Sequence, residues 1–229
     1  MISFITYNIL FDLRYFEQRI GSICDIIEEK DPDFICLQEV TNNMIPILRE
    51  RFPKLNFSRK ELTQRYDTLI LTKHKIQDVL TIPFTNTKMD RNIHYVESVI
   101  DDKLITVVTT HLESVFSSTD LSKYDQLSTI FKMFHEKCNV FIMGDTNINT
   151  EISLYKLYKD AWLEIGNKVN EFTFDYTMNS NILGDYKSRI DRVFYSPNVN
   201  VNKFELIGTE NTVMNLPPSD HFGIYTEFE

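Results

Sequence analysis

Polar side chains able to hold a hard cation or handle a phosphate recur at matching places along this sequence. Asn8 closes the apolar run ISFITYN, Gln38 and Glu39 lie near the end of DFICLQEV, and His111 and Glu113 follow LITVVTT. Asp145 and Asn147 follow NVFIMG, Asp191 lies within RIDRVFY, and Asp220 with His221 opens HFGIYTEF. Taken singly, each reads as an ordinary turn former or helix cap. Taken together Asn8, Glu39, Asp145, Asn147, Asp191 and His221 supply hard oxygen donors and one imidazole, an inventory suited to Mg²⁺ and phosphate rather than to zinc.

Such residues need rigid delivery, and an apolar strand brings the side chain at its end to a fixed place on the rim of a domain. The runs named above, with DTLILT, are rich in Ile, Val, Phe, Tyr and Thr and read as strands. Two helical patterns lie between them. Phe16, Ile20, Ile23 and Ile27 share one face of a helix that Pro32 ends, and Asp120 caps a second helix with the stripe Leu121, Tyr124, Leu127, Ile130, Phe131 and Phe134. A weaker helix is expected from about Asn42 to just before Pro53. Many strands and few long helices predict a layered α/β sandwich of two packed sheets; an open doubly wound sheet would need more crossover helices than the pattern offers.

A chain of 229 residues, 42% hydrophobic and 25% charged, is long enough for one well-packed domain, expected to span 1–229. No stretch approaches the roughly 20 apolar residues of a membrane span and no basic region precedes the first apolar run, so a soluble intracellular protein with no membrane partner is expected. Cys24, Cys36 and Cys138 are odd in number, widely spaced and set among apolar residues, and read as reduced core thiols. A net charge of -9 argues against a protein that coats nucleic acid unspecifically, though a local basic groove beside an acidic cation site is compatible with it.

The segments TYN (6–8), LQEV (37–40), THLES (110–114), GDTN (144–147), RIDRVFY (189–195) and PSDHFG (218–223) resemble, in order and spacing, the motif set of the endonuclease/exonuclease/phosphatase superfamily. HLES, IPFTNTKMDRNI (82–93), TFDYTMNSNIL (173–183) and FELIGTENT (204–212) are similar to its 5′-tyrosyl-DNA phosphodiesterase branch. The resemblance implies a four-layer α/β/β/α sandwich of mixed sheets. It also implies a Mg²⁺-dependent hydrolase, with Mn²⁺ as a substitute, that frees a DNA 5′ end from a topoisomerase II-derived tyrosyl peptide, or an RNA 5′ end from a linked peptide. A monomer acting in the nucleus would follow. With the first catalytic strand read from residue 2, the ubiquitin-associated domain of animal relatives is not expected in this chain. The alternatives are another enzyme on this scaffold, such as an abasic-site endonuclease, a deadenylase or a sphingomyelinase, and a non-catalytic binding domain that keeps the fold.

By the same resemblance Glu39 is the main Mg²⁺ ligand, Asn8 lies close to metal and phosphate, and Asp220 supports the metal region or shapes the turn. Asp145 would orient and activate water, with Asn147 holding Asp145 or a phosphate oxygen. His221 would stabilise charge on the phosphoryl group, with Asp191 behind it, and His111 and Ser114 would touch the scissile phosphate. Tyr66 and Phe174 are expected along the nucleic acid path, and Arg91 and Arg189, with Lys187 and Arg192, along a phosphate track. Departures from the branch are visible. Ile9 and Leu10 follow Asn8 where an acidic residue is usual, Ile148, Asn149 and Thr150 stand where an arginine is usual, and Phe174 replaces a tryptophan.

Overall fold

The computed structural model describes residues 1–114, 121–152 and 157–229. Strand β1 (Ile2–Asn8) leads through α1 (Phe16–Lys30) to β2 (Phe34–Val40), α2 (Met44–Arg51), β3 (Asn56–Phe57) and β4 (Asp67–Thr72). Next come β5 (Asp78–Pro83), β6 (Asn92–Ile100), β7 (Lys103–His111), α3 (Ser122–Phe134) and β8 (Val140–Asp145). The chain closes with β9 (Lys159–Asp160), α4 (Ala161–Ile165), β10 (Phe174–Asp175), β11 (Lys187–Ser188), β12 (Asp191–Tyr195), β13 (Val201–Ile207) and β14 (Gly223–Phe228).

Two sheets of six strands result, ordered β13-β14-β1-β2-β4-β3 and β5-β6-β7-β8-β12-β9. Both are mixed: β1 runs parallel to β2 and β7 parallel to β8, while their other pairings are antiparallel. Helix α1 lays Ile20, Ile23 and Ile27 on Ile5, Tyr7, Ile35 and Leu37 of the first sheet. It stops where Asp31 turns left-handed and its N–H closes on Ile27 O, just before Pro32. Helix α3 lays Leu127, Ile130, Phe131 and Phe134 on Val108, Ile142 and Phe194 of the second sheet. Leu121 falls off that face and is exposed, and Asp120 lies outside the described residues. The expected four layers are therefore present, with both helices outside.

Between the sheets the side-chain alternation of each strand produces a graded interior. Phe4, Phe34, Ile105, Val107, Phe141, Met143 and Tyr195 pack together at one end. Continuing along the same faces by steps of two, the chain reaches Asn8 on β1, Gln38 on β2, His111 on β7 and Asp145 on β8, all buried. Gln38 spans the change: its amide donates to Thr6 Oγ1 at 3.1 Å and, across the sheets, to Thr109 Oγ1 at 3.0 Å. Both outer and inner faces of these strands are covered, which explains their nearly unbroken apolar sequences.

All three cysteines are free, but only Cys24 and Cys36 are core residues. Cys138 is exposed, in the turn that precedes β8. No helix among the described residues is long and apolar enough to cross a membrane.

Candidate active site

Asp145 is the centre of the polar end. It ends β8 after Gly144, whose φ of +141° and whose missing Cβ, which would lie 2.0 Å from Thr110 O, leave room only for glycine there. Asp145 Oδ1 accepts from the Asn147 main chain at 2.9 Å, and Oδ2 accepts from Asn8 Nδ2 at 3.1 Å. Asn147 is itself left-handed, at φ +52°, and its amide is anchored on Leu112 O at 3.1 Å. Burial raises the proton affinity of the Asp145 carboxyl, Asp191 adds to this, and the charge of His221 opposes it.

Two imidazoles face Asp145 Oδ2, and their surroundings give them opposite charge. His221 Nδ1 donates to Asp191 Oδ2 at 2.8 Å, and its Nε2 lies 3.8 Å from Asp145. Burial disfavours the imidazolium, but Asp191 and Asp145 outweigh it and hold His221 well above its usual value, so it is charged at neutral pH. His111 Nδ1 lies 3.0 Å from Arg91 Nη1. A guanidinium can only donate, so Nδ1 accepts and the proton sits on Nε2, 3.3 Å from Asp145 Oδ2. Burial, Arg91 and His221 keep His111 neutral, far below its usual range.

Glu39 reaches the same place by breaking the alternation. By phase it belongs to the outer face of β2, yet the β2–β4 register slips between Leu37 and Val40 and Glu39 adopts φ +60°. Its Oε1 accepts from Asn8 Nδ2 at 3.2 Å and its Oε2 from Phe11 N at 3.0 Å. Burial and nearby Asp220 raise its proton affinity, and no basic side chain pairs with it among the described residues. A half-buried carboxylate beside a second one, with no ion-pair partner among the described residues and only the charge of His221 to offset it, fits a hard divalent metal. Asn8 bridges Glu39 and Asp145 through its NH₂ group, and its Oδ1 is committed to Leu10 N at 3.1 Å, so it organises the two carboxylates instead of offering them an oxygen. Asp145, Asp191 and His221 also bring their donor atoms within 4.8 Å of one another. A charged His221 has no lone pair to give, so Glu39 is the better cation site.

These groups open onto a hollow of about 560 Å³ that Ser114, Arg91, Tyr66 and Phe174 also line. Phe174 sets its ring edge-on to His221, with centroids 5.1 Å apart, and Tyr66 stacks on Phe11 at 4.6 Å. Ser114 Oγ contacts Met89 Sδ at 3.2 Å. Arg189 is not brought here. It is buried against Asp160 at 2.8 Å and Glu151 at 3.1 Å, with its guanidinium over Trp162, and Arg192 shares Asp160. Ile148 lies wholly in the core beneath α3.

Glu113 was read in the sequence as one more strand-end acid, and its task is apparent only in three dimensions. Fully buried, it accepts from Thr87 Oγ1, Lys88 N and Gln126 Nε2 at 3.1, 2.8 and 3.0 Å. It thereby pins the loop that carries Met89 and Arg91 into the hollow. Gln126, at the centre of α3, gave no signal in the sequence beyond interrupting an apolar stripe.

Residues 5–221 match the model of the Endonuclease/Exonuclease/phosphatase family. Tyrosyl-DNA phosphodiesterase 2 of Rattus norvegicus is 30% identical over 242 residues, covering 97% of this chain and 65% of that protein. The Homo sapiens protein of the same name is 29% identical over 243 residues, covering 98% and 67%. The chain thus spans about two thirds of the length of these curated relatives. The crystal structure of D. rerio TDP2 complexed with single strand DNA product is similar with a TM-score of 0.90 at 25% identity, covering 100% of this chain and 98% of that one. A match along almost the whole sequence, on two packed sheets whose rim gathers the motif residues, means that the chain belongs to the Endonuclease/Exonuclease/phosphatase family.

Proposed function

We propose that this chain is a Mg²⁺-dependent phosphodiesterase that hydrolyses the bond between a tyrosine and the 5′-phosphate of a DNA end, leaving a 5′-phosphate. The observation that carries the reading is the convergence of a half-buried Glu39 with no ion-pair partner among the described residues, a basic Asp145 and a charged His221 on one aromatic-walled hollow, in a chain similar to tyrosyl-DNA phosphodiesterase 2. A topoisomerase II-derived peptide as the released part, a peptide-linked RNA as a second substrate, action as a monomer and a nuclear location belong to the same reading.

Asp145 holds the attacking water and takes its proton, for which burial has prepared the carboxyl. His111, a neutral donor at Nε2, and Asn147 N keep that carboxyl from rotating. His221 offers its Nε2–H to the phosphoryl oxygen that gains charge, while Asp191 fixes the ring. Glu39, with Asp220 nearby, would hold Mg²⁺ or Mn²⁺, which supplies charge neutralisation at the phosphate when bound. The leaving phenolate has an ordinary pKa of about 10, so little acid assistance is needed at that oxygen. Phe174 offers an aromatic surface to a terminal base, a contact that tolerates any sequence, and Tyr66, set between Phe11 and Arg91, walls the path beside it.

The test is incubation with a 5′-phosphotyrosyl oligonucleotide, its 3′-phosphotyrosyl isomer and an abasic duplex, with and without EDTA. The expected result is EDTA-sensitive release from the first substrate, far faster than from the others, with a ligatable product. Preference for the abasic duplex overturns the substrate and leaves the family standing.

A further inference from the structure

A closed circuit of contacts surrounds the hollow. From Asp145 it passes through Asn8 to Glu39 Oε1 on one side and through His111 to Arg91 on the other. Arg91 lies over the Tyr66 ring at 5.5 Å, and Tyr66 stacks on Phe11 at 4.6 Å with the planes only 4° apart. Phe11 closes the circuit, because its N–H donates to Glu39 Oε2 at 3.0 Å. Arg65 covers the outer face of the Phe11 ring at 5.2 Å, so the half-buried ring is held on both sides.

The loop bearing Phe11 is braced from beneath. Arg19 is buried on α1 and has no carboxylate partner among the described residues. It spends its donors on main-chain carbonyls: Ile9 O at 3.0 Å, Leu10 O at 3.0 Å, Arg14 O at 2.9 Å and also Asp12 O. A further bond to Pro218 O, at 3.2 Å, ties this loop to the turn that carries Asp220 and His221. A flat, multiply donating guanidinium does this where an ammonium would not.

We propose that Phe11 is a positioning residue, one that sets the carboxylate of Glu39 through its main chain and the Tyr66 wall through its ring, with Arg19 fixing both at once. The inference rests on the cation role proposed for Glu39. Its consequence is that cation binding and occupation of the wall are linked: whatever shifts the ring shifts the N–H that orients the carboxylate. A purely structural Phe11 would affect folding or substrate affinity alone.

Mn²⁺ titration of the purified chain without substrate, followed by electron paramagnetic resonance, separates these roles. Phe11→Leu and Arg19→Lys are each expected to weaken Mn²⁺ binding about 10-fold, the usual cost of losing a group that orients a metal ligand. Phe11→Tyr keeps the ring and should restore wild-type affinity, and Phe11→Leu should in parallel raise KM more than it lowers kcat. Wild-type Mn²⁺ affinity in Phe11→Leu overturns the proposal, whatever happens to KM. Should Arg19→Lys fail to fold, the Leu and Tyr variants of Phe11 decide alone. Failure of the functional reading looks different: 5′-phosphotyrosyl ends would stay intact while the Mn²⁺ pattern held. If Glu39→Ala binds Mn²⁺ as tightly as wild type, both readings fall.

Discussion

Phe141 and Asp145 lie four residues apart on β8, point into the same space between the sheets and meet opposite surroundings. Phe141 is packed by Phe4 at 4.4 Å and Phe228 at 5.0 Å between ring centroids, and is held by shape alone. Asp145 is as deeply buried, but the partners of its carboxylate are donors and charges: Asn8, Asn147 N, His111 and His221. Gln38 and the threonines beside it stand at the transition. The difference separates two kinds of work: the apolar end holds the sheets together, and the polar end uses that rigidity to keep buried, mutually repelling groups in one arrangement.

The comparison can be broken most strongly at its two poles. Asp145→Asn should lower turnover roughly 10³-fold, the scale of a lost general base, while leaving the denaturation midpoint intact or higher, since a strained buried acid is removed. Phe141→Ala should do the reverse, with a loss of about 3–5 kcal/mol in chemical denaturation and near-normal turnover in whatever remains folded. Parallel losses of stability in both variants would erase the distinction. Glu39→Ala should follow the Asp145 pattern and also lose Mn²⁺ affinity.

A smaller effect tests whether the polar end acts as a unit. His221→Ala and Asp191→Ala should each reduce kcat by roughly 10²-fold, and the double variant should be little worse than the first. Losses that multiply would detach Asp191 from His221. Arg189→Ala asks the converse question of a charge lying outside the hollow. Its Asp160 partner would lose one of two buried cations, so a cost of about 3 kcal/mol is expected with KM for the phosphotyrosyl substrate unchanged.

The mildest test uses acid. His94 is buried where Nε2 meets Ser58 Oγ at 2.8 Å and Nδ1 meets Thr81 Oγ1 at 2.9 Å, joining β6 to the segment after β3. Burial first, and Arg59 second, push its pKa down to about 3. An unfolded histidine titrates near 6.5, so between roughly pH 6.5 and 3 the unfolded chain takes a proton that the folded one refuses. Stability should therefore fall as pH drops through that window, by up to about 1.4 kcal/mol per pH unit from this group. Urea midpoints at successive pH values, with His94→Gln as the flattened control, would show it.

The strand-end polar residues were legible because apolar runs advertise strands, and the strand ends then name the site. Asn8, Glu39, His111, Asp145 and His221 all meet there, as do the aromatic residues Tyr66 and Phe174. Strands β5, β6 and β13 were not legible. The face of β5 is exposed almost throughout, and β6 mixes His, Glu and Ser among its apolar residues, so neither shows a clean alternation. Arg189 was read as part of a phosphate track because a sequence does not reveal that Asp160 awaits it inside. Ile9 and Leu10 registered only as departures from a family pattern, and Phe11 gave no signal at all. Their value lies in a loop conformation set by Arg19, a long-range contact that no local propensity encodes.

Glu39 occupies a backbone conformation that glycine would adopt without penalty. A non-glycine residue at φ +60° carries about 1–2 kcal/mol of strain, and its half-buried carboxylate beside Asp220 adds to that. Glycine here would thus relax both backbone and charge, giving a chain that is expected to melt higher and to lose the proposed cation site. The strain at this one position is the local cost of aiming a carboxylate at Asn8 and the hollow from a strand whose phase would point it outward.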